Sequence, residues 1–507
     1  MKIKNASARA LAFCLCIGLL LPVCLSGCGT PDDDEDTTTP STNDDFSGSL
    51  LPEAPNEEQK PPSDEGDASA TYEIDSPADL LAMKRKGTYV LTADIDMMGH
   101  SWTPVGTYAA PFEGILDGGG FTIKNLNVSV KDPDAGECPS FSYVYAGLFG
   151  YIKDATVKNL VLENAKVSSQ TNEAFYEIRL GAVAGSAENA SFSHITVKTT
   201  TLEAQSTKFS VYSGGICGFA YKTSLSDCTV QAGISADSSH RSYTGGITAY
   251  VGDGSHITRC KAAGSVEATS SVGIAYAGGL TAYLVNSNIT RCSATNNVSS
   301  TTRYRGAEGG AKGAAYAGGL VAYSGKTADC KPEDYNRIAI SYATGSVSAI
   351  SAPYSAYASG AVAYALYTAI RDCYSLSNVS ASAEGVEGCV AGIVAIHATH
   401  NTYTGVFFAG ALTLDVPDTS KAYHGDIIAD DRGASDDSDT TAPVVFTKCA
   451  YQAGLTVLLN QTATPLKLVK GEDYAATDLR SENILTGSLG WNAEDWRFLI
   501  GEYPSIK

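Results

Sequence analysis

Short apolar runs broken by glycine recur along most of this 507-residue chain. One copy is Tyr276-Ala-Gly-Gly-Leu-Thr-Ala-Tyr283, with Arg291-Cys292 shortly after it, and similar copies begin at Tyr243, Tyr316 and Tyr357. Each run is too short for an amphipathic helix and is rich in β-branched and aromatic residues. The pattern therefore predicts many short strands joined by glycine-containing turns.

The copies recur at a nearly constant spacing. Alignment on the second glycine of the motif gives eight positions, 31 to 41 residues apart: Gly147, Gly181, Gly215, Gly246, Gly279, Gly319, Gly360 and Gly392. A constant period with two strand signals per copy favours a parallel β-solenoid over a helical solenoid or a propeller. The predicted fold class is all-β, a parallel β-helix of about eight repeats over residues 145–412.

The repeat alignment also predicts the core. A large aliphatic position, Leu280 in one copy, follows the glycine, and a small position, Ala282, lies two residues later. We expect both to point inward, because stacked coils need large and small side chains that interdigitate. In the second copy the same alignment assigns Ala182 to the large position and Ala184 to the small one.

An aromatic position lies four residues after the glycine, on the face opposite to the predicted core. Tyrosine rings combine an apolar face with a polar rim and could stack on sugars. This column, outward or at a corner, is the candidate ligand-binding site; the alternative is that its rings pack under inserted loops. Its members are Tyr151, Tyr250, Tyr283, Tyr323 and Tyr364.

A column of cysteines follows each motif copy. Its members are Cys228, Cys260, Cys292, Cys373 and Cys449, and other copies carry Leu160, Ile195 or Ser341 at this place. Exchange with leucine and isoleucine predicts reduced thiols that face the core. Nine cysteines follow Cys28, an odd number that excludes complete pairing within one chain. Disulfides between neighbouring coils remain the alternative.

Both ends of the solenoid carry different patterns. Ser76, Pro77 and Asp79 form a helix start, and Gly87 suits a helix stop, so we expect a short helix over 76–86 that caps the first coil. Residues 71–144 are predicted to hold this cap and the first coils, and residues 413–507 a closing module.

Several stretches resemble one known family. The runs YVLTADIDM and PFEGILDGGGFTIKNLNV, the later Gly147-Leu-Phe-Gly150, and the closing Gly490-Trp491, Trp496 and Tyr503-Pro504 resemble bacterial surface proteins with the GLUG motif. The resemblance implies a parallel β-helix displayed on a cell surface, often in adhesion-related proteins. It carries no shared catalytic residues.

The first residues resemble a bacterial lipoprotein signal peptide. Lys2, Lys4 and Arg9 precede an apolar run over 11–25, and Leu25-Ser-Gly-Cys28 resembles a lipobox. The resemblance implies that residues 1–27 are removed and that Cys28 receives lipid, which would attach the chain to a membrane. An ordinary secretory signal is the alternative.

Residues 28–70 are acidic and proline-rich, a composition typical of a disordered tether. The acidic run over 31–36 resembles the surface-export signal of lipoproteins in the Bacteroides group, which implies the outer face of an outer membrane. A solvated spacer is the alternative.

The charge of the chain argues against one class of binding partner. The net charge is −20, and no basic stripe is present, so nucleic acid is not an expected partner. No motif of a nucleotide site, zinc protease or nucleophile elbow occurs. Asp227 and Asp372 alternate with Arg259 and Arg291 before the cysteines, a pattern more typical of a solvated stripe than of paired acids.

Three weaker candidates for chemistry remain. Asp94 and Asp96 could hold calcium or act as an acid–base pair, but they also suit a turn at a strand end. His397 and His400 have metal-ligand spacing without a third ligand nearby. The acidic insert over 426–439 could bind calcium loosely, although a solvated loop is favoured.

Together these patterns favour a non-catalytic, lipid-anchored surface solenoid that binds a glycan or host matrix, with no cofactor except weakly bound calcium. No catalytic residue is assigned. A polysaccharide-degrading β-helix enzyme and a passive surface stalk are the alternatives.

Overall fold

The computed structural model describes residues 65–131, 142–172, 176–303, 313–326, 335–352, 354–431 and 445–507. All of them fall within one compact unit, Ser47–Lys507. Three sheets of parallel strands, here named sheets I, II and III, stack into the coils of a parallel β-helix, as predicted. Two short antiparallel pairings occur near the C-terminal end. Cys28 and nearly all of the predicted tether lie outside the described residues.

Sheets I and II contain nine strands each, one of each per coil. The strands of sheet I are Ser142–Ala146, Tyr176–Gly181, Val211–Gly214, Ser242–Gly245, Ala275–Gly278, Ala314–Gly318, Ser355–Ser359, Gly388–Ala391 and Ala422–Gly425. Those of sheet II are Phe149–Lys153, Ala184–Glu188, Cys217–Tyr221, Thr248–Gly252, Thr281–Val285, Val321–Gly325, Val362–Ala365, Val394–His397 and Ile428–Asp430. The glycine motif forms the corner between the two sheets in each coil.

Sheet III contains 31 strands, because each coil crosses it in up to three segments. Before the first glycine corner its strands are Thr71–Ile74, Thr88–Leu91, Ile95–Asp96, Ser101–Trp102, Ile115–Asp117, Thr122–Lys124 and Asn127–Lys131. In the next four coils they are Thr156–Glu163, Lys166–Thr171, Ser191–Ser206, Ser224–Ser226, Thr229–Ser238, His256–Thr258 and Lys261–Ser270.

The remaining strands of sheet III belong to the later coils. They are Asn288–Thr290, Ser293–Ala294, Asn297–Thr302, Asn336–Ala339, Tyr342–Ala343, Val347–Ser351, Thr368–Arg371, Tyr374–Ser375, Asn378–Ala383, Thr402–Thr404, Phe407–Phe408, Ala411–Asp415, Val445–Thr447, Ala450–Gln452, Val457–Leu459, Thr462–Thr464 and Glu472–Tyr474. Trp496–Arg497 and Ser505–Ile506 form a separate two-stranded sheet. Short helical turns are Thr419–Lys421, Asp478–Arg480 and Ile484–Ser488.

The helix at the start is shorter than predicted. It spans Pro77–Leu81 rather than 76–86, and Ser76 caps it by accepting a hydrogen bond from the backbone N–H of Asp79 at 3.3 Å. The buried Leu80 belongs to the same core as the first coils. Glu65, predicted to lie in the tether, pairs with Arg85 at 3.3 Å, so the last residues of that segment contact the cap.

One register prediction is wrong. Ala184 pairs with both Phe149 and Cys217, and Gly181 pairs with Gly214, the first glycine of its motif. Val183, rather than Ala182, therefore takes the large aliphatic position in the second copy. In that coil an alanine replaces the second glycine, so alignment on glycine alone shifted the register by one residue.

A ninth coil lies inside the predicted closing module. Tyr423-His-Gly-Asp-Ile-Ile-Ala-Asp430 pairs with the motif of the eighth coil, so the solenoid continues beyond residue 412. Its second glycine is replaced by Asp426. At Gly279, an added Cβ would collide with the carbonyl oxygen of Gly319 in the next coil. No equivalent corner follows Asp426 in the described residues, which explains why a side chain is tolerated there.

The core follows the predicted columns. Leu280 and its counterparts are buried in one continuous cluster, and Ala282 is also fully buried. Five cysteines belong to this cluster as free thiols: Cys228, Cys260, Cys292, Cys373 and Cys449. The prediction that the cysteine column faces the core is therefore confirmed. Cys138 and Cys330 lie outside the described residues.

The residue before each cysteine turns the chain. Asp227, Arg259, Arg291 and Asp372 all have a positive φ, between 52° and 57°. The side chains of Asp227 and Arg259 form a two-pronged ion pair at 2.6 and 2.7 Å. The mixed charges predicted from the sequence thus occupy a repeated left-handed turn.

The C-terminal segment, residues 475–507, packs against one side of sheet III. Tyr342, Tyr374 and Phe407 stack in a column, and Trp491 and Trp496 lie against them. The indole N–H of Trp491 donates to the carbonyl of Gly405 at 2.6 Å. This second cluster is separate from the main core. Among the described helices, none has the length and apolar character needed to cross a bilayer.

Candidate binding groove

The predicted tyrosine column is half of a larger aromatic assembly, here named the aromatic corner. Rings of sheet I stack along one column, at 4.4 to 5.0 Å between centroids, and rings of sheet II along another, at 4.2 to 5.9 Å. The two columns meet edge to face. The sheet I column contains Tyr212, Tyr243, Tyr276, Tyr316 and Tyr357; the sheet II column contains Phe219, Tyr250, Tyr283, Tyr323 and Tyr364.

This arrangement contradicts the ligand-binding prediction for three tyrosines. Tyr151, Tyr250 and Tyr283 are 2%, 0% and 5% exposed. Burial raises the pKa of Tyr250 and Tyr283 well above its usual value. Tyr323 and Tyr364 are half-buried, with their rings stacked on each other. The rings occupy one another's faces, so the corner is packing rather than an open sugar platform.

The second coil interrupts the aromatic corner with a buried ion pair that the sequence analysis missed. The strand register places Arg179 in the sheet I column and Ser186 in the sheet II column. The guanidinium carbon lies 4.3 Å from the ring centroid of Tyr143 and 3.9 Å from that of Phe219. Nε of Arg179 donates to Oε1 of Glu177 at 2.7 Å, and Nη1 donates to Ser186 at 3.3 Å.

Both members of this pair have shifted pKa values. Burial raises the pKa of Glu177. Burial alone would lower the pKa of Arg179, but the Glu177 carboxylate outweighs it and raises that pKa overall. Each member supplies the opposite charge that the other needs, because a buried charge without a partner is costly. An alignment on the first glycine of the motif would have placed Arg179-Leu-Gly beside Tyr212-Ser-Gly. It would have shown that an arginine replaces a tyrosine of the sheet I column in this coil.

The open surface of interest lies on sheet III instead. A groove of about 420 Å³, here named the polar groove, crosses five successive strands near the end of each coil. Its lining residues are Ser129, Val130, Lys131, Ser168, Ser169, Gln170, Glu203, Ala204, Gln205, Ser235, Ala236, Asp237, Glu267 and Thr269. Because strands pair about 4.8 Å apart, the groove extends along the stacking direction for roughly 19 Å.

The polar groove presents hydrogen-bonding groups to solvent. Gln170, Gln205 and Asp237 are exposed, and their side chains make no hydrogen bond to any other described residue. Glu203 pairs loosely with Lys166 at 3.7 Å across exposed surface. Buried Ala204 and Ala236 keep the floor shallow. The groove can therefore accept an elongated, hydroxyl-rich ligand through amide, hydroxyl and carboxylate groups. No aromatic residue lines it.

The weaker candidate sites have structural partners. Asp94 accepts from the backbone N–H of Thr122 at 2.9 Å, and Asp96 accepts from the side chain of Asn125 at 2.7 Å. Both hydrogen bonds hold a turn between coils, which was the alternative interpretation. They lower the pKa of each carboxyl.

The histidines do not converge on a metal. His397 is buried and shares a hydrogen bond with the Tyr403 hydroxyl at 2.8 Å, while His400, which is also buried, stacks on Tyr367. Asp426 accepts from the backbone N–H groups of Lys470 and Gly471. Within the described part of the chain, no group of three or more His, Cys, Asp or Glu side chains is placed to hold a metal ion. Most of the acidic insert lies outside the described residues.

The comparisons with known proteins give limited similarities. No family model matches it. Halomucin from Haloquadratum walsbyi is 33% identical over an alignment of 146 residues, and the match covers 25% of this chain and 2% of halomucin. A solved structure titled "putative immunoglobulin A1 protease" from Bacteroides ovatus aligns over 87% of this chain and 94% of its own, with 17% identity and a TM-score of 0.33. These similarities assign no function.

Proposed function

We propose that this chain is a non-catalytic surface protein whose polar groove binds a glycan during adhesion. The observation that carries this proposal is the groove itself, an open strip of polar side chains across five strands, among which Gln170, Gln205 and Asp237 make no hydrogen bond to any other described residue. Glycans are elongated and rich in hydroxyl groups, and each coil offers similar contacts at a regular spacing. The proposal moves the predicted glycan site from the tyrosine column to sheet III.

Display on a cell surface is supported by the N-terminal sequence. The run ending at Cys28 resembles a lipobox, and the acidic segment after it resembles a surface-export signal. The GLUG-like motifs are consistent with a surface location, and the similarity to halomucin agrees with it. In this proposal, lipid on Cys28 holds the solenoid outside the outer membrane. Replacement of Cys28 by alanine should release the chain from membranes, as measured by fractionation and by lipid labelling.

A glycan array tests the binding proposal directly. The full chain, purified in detergent, should bind at least one glycan, and Gln170→Ala with Gln205→Ala and Asp237→Ala should weaken that binding at least tenfold. Gln231→Ala is the matched control, because Gln231 is exposed on the same strand as Asp237 but lies outside the groove. Loss of binding in the control alone would place the site elsewhere.

The same experiment separates the alternatives. A host matrix protein that binds in place of any glycan would keep adhesion but change the ligand. New reducing ends released from a bound polysaccharide, and lost in Glu203→Gln or Asp237→Asn, would favour the polysaccharide-degrading enzyme, because such enzymes require paired carboxyl groups. Absence of any ligand, with normal adhesion of a deletion strain, would leave a passive stalk.

A further inference from the structure

Three thiols lie in register on consecutive coils. Two positions before the cysteines, Ser226 pairs with Thr258, which in turn pairs with Thr290. One position after them, Thr229 pairs with Lys261, which in turn pairs with Ser293. Cys228, Cys260 and Cys292 therefore occupy the same register position. Paired strands lie about 4.8 Å apart, so the α-carbons of in-register cysteines fall within the range of roughly 4.4 to 6.8 Å that disulfides span.

Cys260 is the centre of this stack. Its backbone N–H donates to the sulfur of Cys292 at 3.4 Å. Contact with the sulfurs of Cys228 and Cys292 lowers the pKa of Cys260. Contact with Cys260 raises the pKa of Cys228, and burial together with the same contact raises the pKa of Cys292. Cys260 therefore has a neighbouring sulfur on each side, and either one could form a bond with it.

We propose that this stack is an oxidation site, at which Cys260 forms a disulfide with Cys228 or Cys292 on reaction with a hydroperoxide. The Cys260 thiolate attacks one peroxide oxygen, the O–O bond breaks, and a sulfenic acid forms as the other oxygen leaves with a proton as water or an alcohol. The neighbouring thiol then attacks the sulfenic sulfur. The S–O bond breaks, the thiol proton and the departing hydroxide form water, and the sulfur–sulfur bond remains.

Burial selects the oxidant. All three cysteines are 0% exposed, so a small oxidant such as hydrogen peroxide should reach them more readily than a bulky thiol reagent. The product would join two coils, 32 residues apart in sequence. Cys260 can form a disulfide with only one of its two neighbours, so the third cysteine of the stack keeps its thiol.

The chain contains its own control. Cys373 is equally buried and occupies the same column, but its neighbours in the adjacent coils are Ser341 and Val406. Burial raises its pKa to about 12. It has no sulfur to pair with in either direction, so it reports oxidation that does not depend on the stack.

The test is a disulfide map of the full chain. The reduced protein is treated with hydrogen peroxide, denatured, alkylated and digested without reductant. We expect a peptide that links Cys260 to Cys228 or Cys292, one alkylated thiol in the stack, and no disulfide at Cys373. Cys228→Ser should direct the bond to Cys292, and Cys260→Ser should abolish it. Ser341 shows that serine fits this column, and circular dichroism verifies the fold of each variant.

Three outcomes would overturn the inference. All three stack thiols could remain alkylatable after peroxide treatment, a disulfide could join Cys228 to Cys292 without Cys260, or Cys373 could be oxidised as quickly as Cys260. The wild-type map alone is decisive if a variant fails to fold.

Discussion

The aromatic corner and the column of Tyr342, Tyr374 and Phe407 have similar ring spacings but are covered in different ways. In the aromatic corner, the rings of sheets I and II cover each other, and the strands that carry them belong to the same coils. The column of Tyr342, Tyr374 and Phe407 lies on one face of sheet III and is covered by Trp491 and Trp496 from the end of the chain. A repeated aromatic residue therefore identifies a packing column, and only its neighbours show whether a face remains open.

The largest expected effect on stability is at the buried pair of Glu177 and Arg179, where the aromatic corner has an arginine in place of a ring. Arg179→Met should destabilise the second and third coils by about 3–5 kcal/mol, because Glu177 is left buried without its partner. Urea denaturation and local hydrogen exchange measure this loss. The double variant Glu177→Ser with Arg179→Tyr copies Ser210 and Tyr212 and should recover most of the stability. Equal damage in both variants would show that the pair itself is not the cause.

Burial of the column of Tyr342, Tyr374 and Phe407 should depend on the C-terminal segment. Trp496 is fully buried, and Trp496→Ala should cost about 3–5 kcal/mol of docking free energy. We expect faster proteolysis after residue 475 and new exposure of Tyr342 and Tyr374, measured by limited digestion and tyrosine fluorescence. Protection in the aromatic corner should not change. If hydrogen exchange rises equally in both columns, the two are not independent.

The cover of the sheet III column should also depend on pH, unlike that of the aromatic corner. Asp372 lies beneath the C-terminal segment with Arg371 and Lys448 as cationic neighbours and Asp495 as an acidic one; Asp495 itself pairs with Arg291. Burial, and secondarily Asp495, raises the pKa of Asp372 to about 6. Because the folded pKa exceeds the unfolded value of 3.8, the stabilisation is present below that value and is lost as pH rises through 6.

This loss should be on the order of 1–3 kcal/mol for docking of the C-terminal segment between pH 4 and pH 7. Protection of the segment against proteolysis, followed over that range, gives the measurement. Asp372→Asn should remove the dependence. A dependence that survives in this variant would assign the titration to another group.

The smallest effects distinguish two hydroxyls within the aromatic corner. The Tyr357 hydroxyl donates to the Glu387 carboxylate at 2.6 Å, so Tyr357→Phe should cost about 1.5–3 kcal/mol. The Tyr250 hydroxyl is buried and has no hydrogen-bond partner among the described residues, so Tyr250→Phe should be neutral or slightly stabilising. Thermal unfolding of the two variants, side by side, makes the comparison. A larger loss at Tyr250 would reveal a partner for its hydroxyl.

The sequence was informative where one residue type repeats for one physical reason. Leu280 and Cys260 sit in columns whose members exchange with other apolar residues, and both columns are buried as predicted. Val183 was misplaced because Ala182 replaces a glycine, and the ninth coil was missed because Asp426 does the same. Both errors came from treating one glycine as the anchor of the alignment.

The candidate site was less predictable. Tyr283 could have been open or packed, because alternation along a strand does not show what lies opposite a side chain. Its cover comes from Tyr243 and Tyr276 on another sheet, which only the corner geometry brings near. The polar groove has no motif at all, since Gln205 and Asp237 resemble any exposed strand residues until neighbouring coils place them in one strip.

The in-register pairing of the coils has a mechanical consequence. The hydrogen bonds between parallel strands run along the stacking direction, so a pulling force applied along that direction stretches every bond between two coils together. Side chains such as Asp227 and Arg259, which pair across a coil boundary, share that load only weakly because the pair is partly exposed to solvent. Rupture would therefore proceed coil by coil, and a covalent link at Cys260 would move the first break away from the coils it joins.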